Sequence, residues 1–411
     1  MILIPSYLAP LMSLFASRGE RAFPVGGCVR DTLMGVEPHD WDVAVTTPPH
    51  DTMAICHAAG YRTVPTGLKH GTVTVLVPRS GDPADREGAY ELIECTTCRT
   101  EGGYSDGRHP DAVAFTGRIE DDLSRRDFTV NAMAFMKEGD EPAVLDLFGG
   151  RDDLKNGIIR AVGDPDTRFT EDALRLLRAV RFAVKLGFTI EDNTLAAIHR
   201  RAEGLARISR ERIRDEFQKI LTSPEPERGI RLLTDTGLLP YVLPRGISPC
   251  GMGDLSSLPA DFATRMGCLL WEMDYDEVQE NLAGLRLPNA VRKDIMAITF
   301  SYVRTLRPDS KCARQWRHGL GDNTLPALAV RAARGSAAAR ELAELVRISI
   351  QKNEPVRIAD LDIDGTDLIA LGFKPGRLLQ DILCDLLEVI WEDPAKNTKD
   401  QLIKEALKRK D

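Results

Sequence analysis

Two aspartates one residue apart, Asp40 and Asp42 in the segment His39-Asp40-Trp41-Asp42, follow a Gly26-Gly27 pair and Arg30. On an extended strand side chains alternate faces, so both carboxylates would leave one face while Trp41 points into a core. Hard oxygen donors at that spacing suit Mg²⁺, which accepts a few carboxylates together with phosphate oxygens and water. The glycines complete the pattern, because a triphosphate must come close to the main chain and a residue without Cβ leaves its N–H open. Arg30 follows at a distance suited to a phosphate. Either feature alone reads as a turn or a pair of solvated acids. In the order strand, turn, helix, strand they point to a seat for a nucleotide and its metal.

A second set lies further on. Asp172, Arg175, Arg178 and Arg181 fall at three-residue steps, so on one helix they drift slowly around a single face. Leu174, Leu177 and Val180 lie on the other side to pack that helix down, leaving the arginines to face a cleft. The seven histidines show no paired ligand spacing. The eight cysteines are scattered, and the single C-x-x-C pair, Cys95 and Cys98, lacks the second pair of a zinc site, so strand packing is the expectation.

The elements that position these residues follow from residue pattern. Ala22–Val25, Asp42–Thr46, Thr72–Pro78 and Ala89–Thr96 read as strands, the last two as a hairpin, within an α/β region of about 145 residues. From Glu171 onward three- and four-residue apolar spacing predicts an all-α region. Turn formers mark loops at Ser223–Gly229, Pro244–Pro259 and Arg307–Asp309, and the Ala-rich Arg331–Arg340 predicts a helix. With 54 Lys and Arg against 62 Asp and Glu, the net charge of −8 excludes an indiscriminate polyanion binder and leaves room for a local basic groove. No apolar run reaches the ~18 residues of a membrane span, and the opening segment lacks the features of a secretory signal. A cytoplasmic protein is expected.

Five segments then carry a resemblance. Gly26-Gly27-Cys28-Val29-Arg30-Asp31 with Asp40-Trp41-Asp42 resembles motif A of the nucleotidyltransferase superfamily, in the class II branch that holds the CCA-adding tRNA nucleotidyltransferases and the bacterial poly(A) polymerases. Asp121–Phe135 resembles motif B, Asp146–Pro165 motif C, Glu171–Phe182 motif D and Ile208–Leu221 motif E, in the family's order. The resemblance implies an α+β chain. A polymerase β-like α/β head, residues 1–145, would carry catalysis, followed by an all-α neck (146–222), body (223–340) and tail (341–411) that grip tRNA. It also implies two Mg²⁺ ions on Asp40 and Asp42, with Glu94 as a third carboxylate, and nucleotide contacts from Gly27, Arg30, Arg126 and Asp127, with Asn131 fixing the motif B loop. Phe128 and Phe135 read as core.

The implied base selection agrees with donor and acceptor inventories. An ionised Asp172 only accepts, which suits the amino group of cytosine or adenine; Arg175 only donates, which suits the ring nitrogen. Uracil and guanine would oppose like groups at ~1–3 kcal/mol each. Arg178 and Arg181 would reach phosphates or the RNA end. The substrates implied are CTP, ATP and tRNA, with His199–Lys219 as a local basic surface for the RNA; no membrane partner is expected, and oligomeric state is left open. Thr100–Phe115 resembles the flexible loop of CCA-adding enzymes, with Arg108-His109-Pro110 where the family has Arg-Arg-Pro. An A-adding enzyme or a poly(A) polymerase shares every motif, and a non-catalytic RNA-binding protein on the same fold is a remoter alternative.

Overall fold

A computed structural model describes residues 4–85, 87–102, 112–138 and 141–409. They fall into two compact units, Met1–Val242 and Leu243–Asp411.

The first unit is organised by a five-stranded sheet of β1 (Ala22–Pro24), β2 (Asp42–Val45), β3 (Arg62–Gly67), β4 (Thr72–Pro78) and β5 (Tyr90–Thr97), in spatial order β1-β2-β5-β4-β3. The expected hairpin forms: β4 and β5 pair antiparallel from Thr72 opposite Thr96 to Pro78 opposite Tyr90. β2 joins β5 in parallel, with Asp42 opposite Glu94. Strand β3 was not expected, because Pro65 and Gly67 interrupt its pattern; it sits at the sheet edge with an irregular register, where such residues are tolerated.

Alternation along the strands builds two cores. Val43, Val45, Val75, Val77, Ile93 and Cys95 face one way with Trp41, and Leu8, Leu11 and Phe15 of helix Leu8–Ser17 cover them. Phe23 and Ala44 face the other way, onto Ile119 and Leu123 of helix Ile119–Ser124 and onto Ala134. This second layer covers the β1–β2 end. On β3 and β5 the same face stays open, leaving Val64 47% and Leu92 65% exposed. Asp42 and Glu94 stand where the covered region gives way to the bare face.

Met133–Glu138 pairs antiparallel with Glu141–Asp146, and from Gly150 to Val242 the regular elements are helical apart from a two-residue parallel pairing of Ile158–Ile159 with Thr189–Ile190. The single helix expected through Asp172 and the three arginines is two helices, Pro165–Glu171 and Leu174–Leu186. Asp172 lies between them in an extended conformation, φ −141° and ψ 101°, and its Oδ1 accepts the Leu174 N–H at 3.0 Å. Asp competes for backbone N–H groups and so favours a helix start over an interior. The loop expected at Ser223–Gly229 is shorter than read, since helix Pro226–Asp235 opens inside it with proline in its first turn.

In the second unit every described element from Phe262 to Leu407 is helical. The Ala-rich segment is split into helices Thr324–Ala333 and Ala337–Gln351. Gly335 takes φ +93°, and the Ser336 hydroxyl accepts the Ala339 N–H to start the second helix. No helix among the described residues is long and apolar enough to cross a membrane.

Candidate functional site: a basic cleft with two carboxylates in register

The first unit contains a cleft of about 560 Å³. Nine arginine and lysine side chains and four carboxylates line it, an excess of positive charge in a chain whose net charge is −8. Such a site attracts an anion with several charges.

At one part of the cleft Asp42 and Glu94 leave the same sheet face from adjacent parallel strands. Asp42 is open to solvent at the start of its strand, yet the protein packed around it partly desolvates its carboxyl and raises it above its ordinary value, the Glu94 charge raises it further and Arg126 opposes both. Two hard oxygen donors held against their own repulsion fit a divalent cation, whose charge would remove that cost. Asp40 departs from the expected geometry. The strand begins only at Asp42, so Asp40 precedes it, with its side chain 83% exposed and its Oδ1 3.0 Å from His39 Nδ1, and it is not among the cleft-lining residues. Trp41 is buried in the sheet core as expected. Among the described residues no three His, Cys, Asp or Glu side chains are grouped to hold a metal.

The two residues of the glycine turn differ in what a side chain would meet. Gly26 takes φ +77°, a conformation that strains any residue with a side chain, and a Cβ there would lie 2.8 Å from Arg126 Nη1, so that guanidinium would have to shift. Gly27 opens helix Gly27–Leu33, and a Cβ on it would make only ordinary contact with Arg30 at 3.6 Å.

Arg30, Asn131, Asp127 and Arg178 form a hydrogen-bonded chain, buried except at Arg178. Arg30 Nη1 donates to Asn131 Oδ1 at 2.6 Å, and Asn131 Nδ2 donates to Asp127 Oδ1 at 3.2 Å. Arg178 Nε donates to Asp127 Oδ2 at 2.7 Å, and Nη2 bonds the same oxygen. Burial pushes the Asp127 carboxyl up, but the Arg178 guanidinium outweighs it and holds it at about 2. Arg126 is bonded through Nε and Nη2 to Asp122, at 3.1 and 2.9 Å. Arg181 Nε lies 2.8 Å from Glu216.

Asp172 and Arg175 are both fixed in the cleft wall. Arg175 donates through Nη1 to Glu171 at 2.7 Å and to the Arg168 carbonyl at 3.1 Å, and through Nη2 to the Arg125 carbonyl at 3.0 Å. Its Nε–H and one Nη2–H are left over. Asp172 Oδ2 accepts from Arg212 Nη2 at 3.0 Å. Arg212, from helix Arg210–Leu221, is a cleft residue that the sequence reading did not single out, although it lies within the segment read as motif E.

The structure therefore gathers Asp42, Glu94, Gly27, Arg30, Arg126, Asp127, Asp172, Arg175, Arg178 and Arg181 in one cleft. Cys95 and Cys98 are each fully buried, one in each sheet core, and burial pushes the Cys98 thiol up to about 12. Within the proposed RNA surface Arg200 and Arg201 pair with Asp166, and Arg210 bonds the Tyr241 carbonyl at 2.6 Å. Arg108-His109-Pro110 lies outside the described residues.

Comparison with known proteins adds family models in chain order. They are described as Poly A polymerase head domain (residues 22–160), Probable RNA and SrmB- binding site of polymerase A (187–247) and tRNA nucleotidyltransferase domain 2 putative (265–406). The chain is 35% identical to the CCA-adding enzyme of Limosilactobacillus fermentum, over 97% of this chain and 95% of that one. It is 35% identical to that of Latilactobacillus sakei, over 97% and 96%. A crystal structure of the Bacillus stearothermophilus CCA-adding enzyme in complex with CTP matches with a TM-score of 0.82 at 30% identity, covering 99% of this chain and 98% of that one. The Thermotoga maritima CCA-adding enzyme complexed with tRNA shares the fold, with a TM-score of 0.70 at 21% identity over 100% and 97%.

Proposed function

The chain belongs to the CCA-adding enzymes, in the class II branch of the tRNA nucleotidyltransferases, and from that premise we propose how its cleft carries out nucleotide addition. The reaction extends a tRNA 3′ end with nucleotides from CTP and ATP and releases pyrophosphate. The attacking 3′-hydroxyl must meet the α-phosphate in line. Asp42 and Glu94, register partners on adjacent strands, are the carboxylates proposed for this, and Asp40, two residues upstream, is the further acid proposed to join them on Mg²⁺. When bound, the divalent cations of this family's chemistry lower the hydroxyl's pKa and neutralise charge on attacking and leaving oxygens.

The chain's own residues supply the rest. Arg30, Arg126, Arg178 and Arg181 provide positive charge for the triphosphate, and Gly26 and Gly27 keep the turn low enough for it to approach. Asp172 and Arg175 choose the base. The pair is supported by one observation above the others: Glu171, Arg212 and two main-chain carbonyls lock both side chains while leaving donor and acceptor capacity unspent. A fixed acceptor beside a fixed donor fits cytosine and adenine and opposes uracil and guanine. Head (1–145), neck (146–222), body (223–340) and tail (341–411) remain the proposed division of labour, with the helical parts holding tRNA, in the cytoplasm.

The test supplies purified protein with tRNA lacking CCA, tRNA ending in CC, and an oligo(A) primer, each with CTP or ATP. The account expects two C additions and one A on the first, one A on the second and little on the third. Failure to incorporate CTP, or extension of oligo(A) into a long tail, contradicts it.

A further inference from the structure

Phe182, on helix Leu174–Leu186, carries three guanidiniums around its ring. The Cζ atoms of Arg181, Arg178 and Arg30 lie 4.3, 5.4 and 5.4 Å from the ring centroid. Two of these arginines share its helix, and Arg30 comes from helix Gly27–Leu33 beside the glycine turn. The ring is itself held: Phe182 is 6% exposed and stands edge-on to the buried Phe128, with centroids 5.8 Å apart and planes at 76°.

Three like charges around one ring repel one another. A carboxylate stands against each: Asp31 2.7 Å from Arg30, Asp127 2.7 Å from Arg178 and Glu216 2.8 Å from Arg181. The last contact is a charge pair without an aligned hydrogen bond, since Arg181 Nε and Glu216 Oε2 are both buried and lack a hydrogen-bond partner. More carboxylates would cancel the field that an anionic ligand needs. An aromatic face attracts cations through its quadrupole and brings no charge of its own.

We infer that Phe182 is a positioning residue whose π-face holds Arg30, Arg178 and Arg181 together at the cleft wall, so that their remaining N–H groups meet the triphosphate of the incoming nucleotide. The inference rests on the reading that this cleft takes CTP and ATP. Electrostatics agree with the geometry: burial depresses the Arg181 guanidinium, Glu216 opposes this, and the charges of Arg178 and Arg30 depress it further.

Replacing Phe182 in the full-length enzyme by mono-, di- and trifluorinated phenylalanine drains the ring quadrupole at nearly constant size. The dissociation constants of CTP and ATP, measured by calorimetry, are expected to rise stepwise to about tenfold, as loss of a cation–π cluster predicts. That of CMP is expected to rise less, and the melting temperature to stay near the native value. In steady state the loss falls on KM rather than kcat, and Phe182→Tyr, which keeps the quadrupole, restores it where Phe182→Leu does not. An unchanged CTP affinity across the fluorinated series, or equal losses for CTP and CMP, overturns the inference alone. A native enzyme that binds neither CTP nor ATP overturns the reading of the cleft, and the inference with it.

Discussion

Arg178 and Asp127, 51 residues apart in sequence, form a two-pronged ion pair that ties the arginine helix to the loop of the motif B segment. Through Asn131 the same carboxylate reaches Arg30, so helix Gly27–Leu33 beside the glycine turn and helix Leu174–Leu186 share one polar chain. Removing a member of such a chain leaves its partner buried and unpaired.

The pair makes stability depend on pH. The Asp127 carboxyl titrates at about 2 in the folded protein, below the ~3.9 of an unfolded Asp. Its contribution, roughly 3 kcal/mol, is therefore fully present above the unfolded value and is lost as pH falls through the window toward 2. Urea unfolding from pH 7 down to pH 2 should show that loss, and Asp127→Asn should lower stability at pH 7 by roughly 2–4 kcal/mol while flattening the acid limb. An acid limb as steep in the variant as in the native protein would remove Asp127 as its source.

Base selection should fail before RNA binding does. Asp172→Ala and Arg175→Ala each delete one half of the proposed template, and the discrimination against UTP and GTP should fall by about 10–100-fold, the equivalent of one or two opposed polar groups. Single-nucleotide products resolved on a gel, beside tRNA affinity, make the comparison. Intact selection with weakened tRNA binding would mean that these side chains serve the RNA instead.

Arg212 acts through Asp172. Its Nη2 bond at 3.0 Å fixes the orientation of the accepting carboxylate, so Arg212→Ala should lower kcat/KM for both nucleotides by about tenfold, the worth of one charge-assisted bond. Combining it with Asp172→Ala should add little. Additive losses in that double-mutant cycle would separate the two residues.

The glycine turn offers a paired comparison. Gly26→Ala places a Cβ at φ +77° and 2.8 Å from Arg126 Nη1, whereas Gly27→Ala meets Arg30 at an ordinary 3.6 Å. The first should cost about 1–3 kcal/mol from backbone strain alone and weaken CTP binding by displacing Arg126. The second should leave the melting temperature nearly unchanged. Equal behaviour of the two variants would contradict the assigned geometry.

Much of this site is local in sequence, and that part was readable. The alternation of β4, the burial of Trp41, the hairpin and the arginines of helix Leu174–Leu186 depend on periodicity that a few neighbouring residues carry. The alternating spacing of Asp40 and Asp42 does not reveal that Asp40 lies just ahead of the strand and outside the cleft lining. Asp172 was placed inside a helix because a three-residue spacing does not reveal a break, although Asp before a helical run is a known start signal. The Asp42–Glu94 register, the Arg212–Asp172 bond and the chain through Asn131 join residues 40 or more positions apart, and only the fold brings them together.

Asp42 carries the central claim, since it belongs to the motif and the sheet register sets it beside Glu94 in the cleft. Single-turnover incorporation of CMP into tRNA lacking CCA, by Asp42→Asn, measures this most directly. The account predicts a rate reduced by about a thousandfold or more, as loss of a metal-holding carboxylate requires, with tRNA and CTP still bound. Incorporation at the native rate would contradict it.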